Sequence, residues 1–136
     1  MEPIPFQFEI TVPHNAIDHF GHVNNVFYLK WVQEVAEKHW KQKTPKSVRE
    51  KLGWVVLDHF IKYKHPGFEH ERLILKTWIE SYGNVKSIRR TEVIRKEDHV
   101  LIAEARTTWC LMDLENFRPT RITPDITAPY FENPAT

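Results

Sequence analysis

The chain has 136 residues, 41% of them hydrophobic and 27% charged, which excludes a disordered chain. A length in the range of about 100–150 residues suits one domain, so residues 1–136 are expected to share a single core. The 19 Lys and Arg nearly balance the 18 Asp and Glu, and a net charge of +1 argues against a strongly basic nucleic-acid binder.

Phe6, Phe8, Ile10 and Val12 alternate with polar residues, the period of a half-buried strand, and Pro13 ends it. Residues 14–23 read as a polar loop rich in His and Asp, with Gly21 as its flexible point. A long helix follows. Tyr28, Trp31, Val32, Val35, Ala36, His39 and Trp40 recur at helical spacing and form one stripe. So many large apolar groups on one helix predict a central element, with Asn24 or Asn25 as its N-cap. Thr44-Pro45 reads as the cap and first residue of a short second helix over 45–52, closed by Gly53.

From Trp54 the pattern turns to strands. Runs over 54–64, 72–81, 85–95 and 100–113 each end in turn chemistry: His65-Pro66-Gly67, Gly83-Asn84, Lys96-Glu97-Asp98 and Leu114-Glu115-Asn116. A meander of antiparallel strands is the simplest reading. The tail from Phe117 is broken by prolines, with room for one helical turn near Pro124. The order predicts an α+β fold in which one antiparallel sheet wraps a long helix. Long strands in so small a domain leave an edge uncovered, which predicts self-association.

The chemistry concentrates in Asp18-His19-Phe20-Gly21-His22-Val23-Asn24-Asn25-Val26-Phe27-Tyr28, where the loop enters the helix. A helix N-terminus offers unpaired backbone N–H groups and the positive end of the dipole, which suit a carbonyl oxygen gaining negative charge. Asp18 stands just upstream and suits attack on an acyl carbonyl. Taken singly, these residues also have plain structural roles: Asp18 as a turn cap, His22 as a loop brace, Asn24 and Asn25 as caps, Tyr28 as packing. Glu34, at the flank of the apolar stripe, is a minor alternative carboxylate.

The pattern Asp18-x-x-Gly21-His22-Val23-Asn24-Asn25-x-x-Tyr28, ahead of a long helix and several strands, resembles the hotdog-fold acyl thioesterases, and among them the 4-hydroxybenzoyl-CoA thioesterase-like branch. Tyr63-x-x-Pro66 and Thr120-Arg121-Ile122-Thr123-Pro124 resemble that branch more weakly. The resemblance implies a hotdog fold and hydrolysis of an acyl-CoA, or of an acyl-carrier-protein thioester, without metal or other cofactor. It implies Asp18 as general base or nucleophile, with N–H groups around Val23, Asn24 and Asn25 polarising the carbonyl. It also implies a dimer or homotetramer with sites at subunit interfaces. Asp18 and His22, the two catalytic candidates, match part of the Asp-Asn-His pattern of plant acyl-carrier-protein thioesterases, but Phe20 stands at the Asn position, and Ala16 stands where many relatives carry a further Asp.

Lys86, Arg89 and Arg90 are candidates for the phosphates of coenzyme A; their plain reading is an exposed strand face. The eight histidines show no familiar ligand spacing, and only one cysteine, Cys110, is present, so no metal site is expected. That single cysteine permits no internal disulfide, and no apolar run nears the ~20 residues of a membrane span. Together with an acidic, proline-broken N-terminus, these features predict a cytoplasmic protein away from membranes. Two other classes fit the motif less well. A hotdog hydratase or dehydratase carries a longer Asp-to-His spacing with Asn-Pro between, and a non-catalytic acyl-thioester binding module is compatible with the fold alone.

Overall fold

The computed structural model describes residues 1–132. In chain order the elements are β1 (Glu2–Pro3), β2 (Phe6–Thr11), α1 (Asn25–Lys43), α2 (Lys46–Arg49), β3 (Leu52–Tyr63), β4 (Arg72–Tyr82), β5 (Lys86–Arg95), β6 (Leu101–Asp113), β7 (Arg118–Pro119), α3 (Pro124–Thr127) and β8 (Phe131–Glu132). The main sheet runs β2-β4-β5-β6-β3, all antiparallel, with β7 added to β6. This curled sheet wraps α1, the α+β hotdog arrangement expected from the sequence.

The helix lies inside because of its stripe. Tyr28, Trp31, Val32, Val35, Ala36 and His39 are all buried. Trp31 and Val35 pack against Val12, Leu73, Leu75 and Val93 in the main core. On β4 the alternation is complete, with Leu73, Leu75, Thr77 and Ile79 turned inward. Asn24 is the N-cap of α1, its side chain accepting from the Val26 N–H at 3.1 Å.

Three local expectations are corrected. The four long strands are not a simple meander: β4, β5 and β6 follow one another, but β3 pairs with β6 at the far edge. His65-Pro66-Gly67 therefore closes no hairpin and carries the chain across the sheet. Thr44 does not cap α2. It is buried at the end of α1, where its hydroxyl meets the Tyr130 hydroxyl at 3.2 Å. Gly53 lies within β3, where a Cβ would come 3.0 Å from Leu114, so it serves a close approach and not a helix end.

Candidate functional site

After β2, one 3-10 turn at His14–Ala16 turns the chain back, and Ile17 and Val23 form an isolated antiparallel bridge. Between them the loop closes on itself, with the Asp18 N–H donating to His22 O at 2.8 Å and the Gly21 N–H to Asp18 O at 3.0 Å. Gly21 has φ +81, the left-handed region where a side chain is strained. Asp18 Oδ1 accepts from the backbone N–H of Phe20 at 2.9 Å and of His22 at 3.4 Å. These bonds orient the carboxylate. Among the described residues its second oxygen, Oδ2, takes no hydrogen bond, so that oxygen is free for a proton or a bond to substrate.

The three candidate N–H groups differ. Val23 N–H donates to Gly67 O at 2.9 Å and Asn24 N–H to Ala16 O at 2.8 Å. Both are spent on holding the loop against its neighbours. Further in, the N–H of Val26 is capped by Asn24 Oδ1 and that of Phe27 by Asn24 O. The Asn25 N–H, at the first position of α1, has no acceptor among the described residues. It points out of the positive end of a helix of 19 residues.

Tyr28 lies behind the loop, 2% exposed, and its hydroxyl oxygen accepts from the Gly67 N–H at 3.1 Å. Burial pushes its pKa up to about 12, so it stays un-ionised at neutral pH, and the bond to Gly67 makes it a brace for the site. Gly67 thus holds the site twice, through Tyr28 and through Val23. A Cβ on Gly67 would stand 2.7 Å from the Tyr28 oxygen and 3.1 Å from Val23 Cγ2. Gly67→Ala is therefore expected to cost roughly 1–3 kcal/mol by overpacking, read as a lower midpoint in urea. An unchanged midpoint would show that the loop yields freely.

His22 is exposed, its ring edge-on to Phe68 at 5.2 Å; it meets the Asp18 carboxylate through its backbone N–H alone, and among the described residues its ring makes no hydrogen bond to that carboxylate. Phe20, Val26 and Phe68 are also exposed, at 73%, 66% and 41%, and give the loop an apolar rim. Glu34 lies further along α1 and pairs with Lys30 at 3.8 Å, away from the loop. Lys86, Arg89 and Arg90 do not form one patch, because neighbours on a strand face opposite ways. Lys86 is exposed and Arg90 reaches Glu80 at 2.9 Å, whereas Arg89 is buried beneath α1 against His39.

The profile of the Thioesterase-like superfamily matches residues 12–129, which span the Asp18 loop, the helix and every strand of the main sheet except β2. The chain belongs to that superfamily. Solved structures agree with this thioesterase-like fold. The probable thioesterase YbaW from Escherichia coli superposes with a TM-score of 0.81 at 18% identity, over 90% of this chain and 94% of that one. Slr0204 from Synechocystis, a 1,4-dihydroxy-2-naphthoyl-CoA thioesterase, gives 0.81 at 16% identity, over 93% and 95%. The hypothetical protein SAV2348 from Staphylococcus aureus, in complex with CoA, gives 0.84 at 14% identity, over 95% and 83%. No curated protein matches the chain.

Two residues of this thioesterase-like chain escaped the reading of the sequence. Gly67 looked like a plain turn glycine, and only its contact with Tyr28 gives it a part in the site. Arg89 looked like a surface cation, and it is 7% exposed. No helix among the described residues is long and apolar enough to cross a membrane.

Proposed function

We propose that the chain hydrolyses an acyl-CoA thioester to a free acid and CoA. One arrangement supports this reading above the rest: a carboxylate oriented by two backbone N–H groups, with one oxygen free, beside an unengaged N–H at the start of α1. The thioester carbonyl oxygen rests on the Asn25 N–H. Asp18 takes a proton from water as the water oxygen bonds to the carbonyl carbon, and the charge gathers on the carbonyl oxygen. When the tetrahedral species collapses, the C–S bond breaks and the proton passes to the departing thiolate. Attack by Asp18 itself, through a mixed anhydride that water then opens, uses the same positions.

Coenzyme A as the carrier finds support in SAV2348, which was solved with CoA, and in Slr0204, which acts on a naphthoyl-CoA. An acyl-carrier-protein thioester presents the same bond. A dimer accounts for the apolar residues left open on β3, an edge strand on which Leu57, Phe60 and Tyr63 are 49%, 62% and 46% exposed. A second copy would also cover the apolar rim of the Asp18 loop. A cytoplasmic location belongs to the same reading.

The test is release of free thiol from short, medium, long and aromatic acyl-CoAs by the wild type and by Asp18→Asn. Hydrolysis by the wild type alone supports the reading. No release from any substrate moves the weight to a carrier-protein thioester, to a hydratase and to a binding role, in that order. Lys86 and Arg90, which share the outer face of β5, are proposed to meet the CoA phosphates. Lys86→Ala and Arg90→Ala are expected to raise KM for acyl-CoA several-fold, to about tenfold, with kcat little changed. Unchanged KM in both would remove that role.

A further inference from the structure

Arg89 is a buried cation without a counter-ion among the described residues. It lies on the inner face of β5, opposite Ile79 of β4 and Thr107 of β6. Its Nη1 donates to His39 Nδ1 at 2.9 Å and to Thr77 Oγ1 at 3.1 Å, and both acceptors are neutral groups. Among the described residues no carboxylate lies within ion-pair distance of it. Burial lowers its pKa to about 10, so it is still charged at neutral pH. An ion taken out of water without a partner is one of the largest penalties a fold carries.

The donors nearby also lack acceptors. Because His39 Nδ1 accepts from Arg89, its proton sits on Nε2, which is buried with no partner among the described residues. The indole N–H of Trp109, on β6 opposite Ser87, is likewise buried and unpartnered. Arg89 and Trp109 both line a cavity of about 330 Å³ between the C-terminal half of α1 and the β3 end of the sheet. Trp40, Leu52, Trp54 and Ile79 supply apolar walls, and Glu37 is the one carboxylate in the lining, against Lys41, Arg49 and Arg89. The cavity is thus apolar in its body, rich in donors and short of acceptors.

We propose that this cavity is a second ligand site, which takes a free carboxylic acid with a compact apolar body, the carboxylate on Arg89 and the body against Trp40 and Trp54. A carboxylate matches the guanidinium geometry and supplies the missing charge. The cavity of about 330 Å³ has room for about eleven non-hydrogen atoms at roughly 30 Å³ each, the size of octanoate or phenylpropionate. The site is separate from the Asp18 loop. Its helical residues, Ala36 to Lys41, lie about 16–24 Å along α1 from Asn25 at 1.5 Å per residue. Tyr28, Trp31 and Val35 pack in the core nearer the loop. The site does not depend on the hydrolytic reading, since an acid supplied from elsewhere would bind in the same way.

The test is titration of the full chain with octanoate and with 3-phenylpropionate, followed by calorimetry and by tryptophan fluorescence, because Trp40, Trp54 and Trp109 all line the cavity. Octanamide and inorganic phosphate are the controls. Each acid is expected to saturate one site and to bind about tenfold or more tighter than octanamide, the difference of a charge-assisted bond. Phosphate, which has no apolar body, is expected to leave the fluorescence unchanged. Arg89→Met is expected to keep a cooperative thermal transition and lose acid binding. Trp109→Phe, which keeps the ring bulk, is expected to weaken binding a few-fold, about the worth of one neutral hydrogen bond, and it reports even if Arg89→Met fails to fold. Asp18→Asn is expected to bind the acids like the wild type, which separates this site from the hydrolytic one. Equal affinity for acid and amide, phosphate acting as well as the acids, or undiminished binding in Trp109→Phe and in a folded Arg89→Met would each overturn the proposal.

Discussion

Asp18→Asn is expected to lower turnover roughly 10²–10⁴-fold, the usual worth of a positioned general base, with little change in stability. The separation of the two effects follows from the geometry. Asp18 uses Oδ1 to accept from the N–H groups of Phe20 and His22, and an asparagine offers the same acceptor in the same place. The loop turn survives. What the amide lacks is a basic or nucleophilic oxygen at the position of Oδ2. The stability read from urea melts should therefore stay within about 0.5 kcal/mol of wild type, as for a change that breaks no packing. Asp18→Ala is the contrasting variant, because it removes the turn acceptor as well and should lose both activity and stability. Full turnover in the asparagine variant would place the chemistry elsewhere, with Glu34 the next carboxylate to examine. Matched losses of turnover and stability in that variant would instead show that the turn, not the carboxylate, supports the activity.

Acid should destabilise the protein well before its carboxylates titrate. His39 is completely buried, stacked on Phe6 and edge-on to Tyr130, with Arg89 donating to its Nδ1. Burial first, then the charges of Arg89 and Lys43, lower its pKa to about 3. In the unfolded chain it returns to the ordinary value near 6.5. Above that value neither state holds the proton and His39 adds no slope. Between it and about 3 the unfolded chain binds a proton that the native chain refuses. Stability therefore falls as pH drops, by up to about 1.4 kcal/mol per unit from this one group. His59, whose pKa burial also lowers, acts in the same direction. His14 acts against them, since its exposed pairing with Glu69 raises its pKa. Glu9, Glu69 and Asp98 have lowered pKa values and add their own losses only at lower pH. Urea melts between pH 7 and about 5 thus isolate the histidines. In His39→Gln the slope over that window should flatten, and a slope as steep as wild type would assign the acid sensitivity to other groups.

The elements themselves were legible because their signals are local. The stripe from Tyr28 to Trp40 marked both the extent of α1 and its buried face, since helical period and burial are the same fact seen twice. Strand ends fell within two residues of the turn chemistry that announced them. The Asp18 loop was legible for a similar reason. Its parts lie within eleven consecutive residues, and a carboxylate, a left-handed glycine and a capping asparagine each act over one turn of chain.

Partner choice was not legible. Turn residues say where a strand stops, but pairing between strands is decided by the whole sheet. So β3 crossed to β6, and the crossing that broke the expected meander is also what sets Gly67 beside Tyr28 and Val23. β5 shows the limit most clearly. Of its three apolar residues, Ile88 and Ile94 share one face and Val93 lies on the other, so the period alone favours turning the isoleucine face inward. In the folded chain those two are half-buried, and Ser87, Arg89, Thr91 and Val93 are the buried ones. Residues 86–95 alone would place Arg89 in solvent. Its burial follows from α1 above it, from Thr77 across the sheet, and from a register in which Arg89 faces Thr107. Short-range chemistry written in consecutive residues thus defined the helix, the strands and the Asp18 loop. The crossing of β3, the brace at Gly67 and the buried charge at Arg89 arose from contacts between residues far apart in the chain, whose energies depend on what the completed sheet and helix leave beside them.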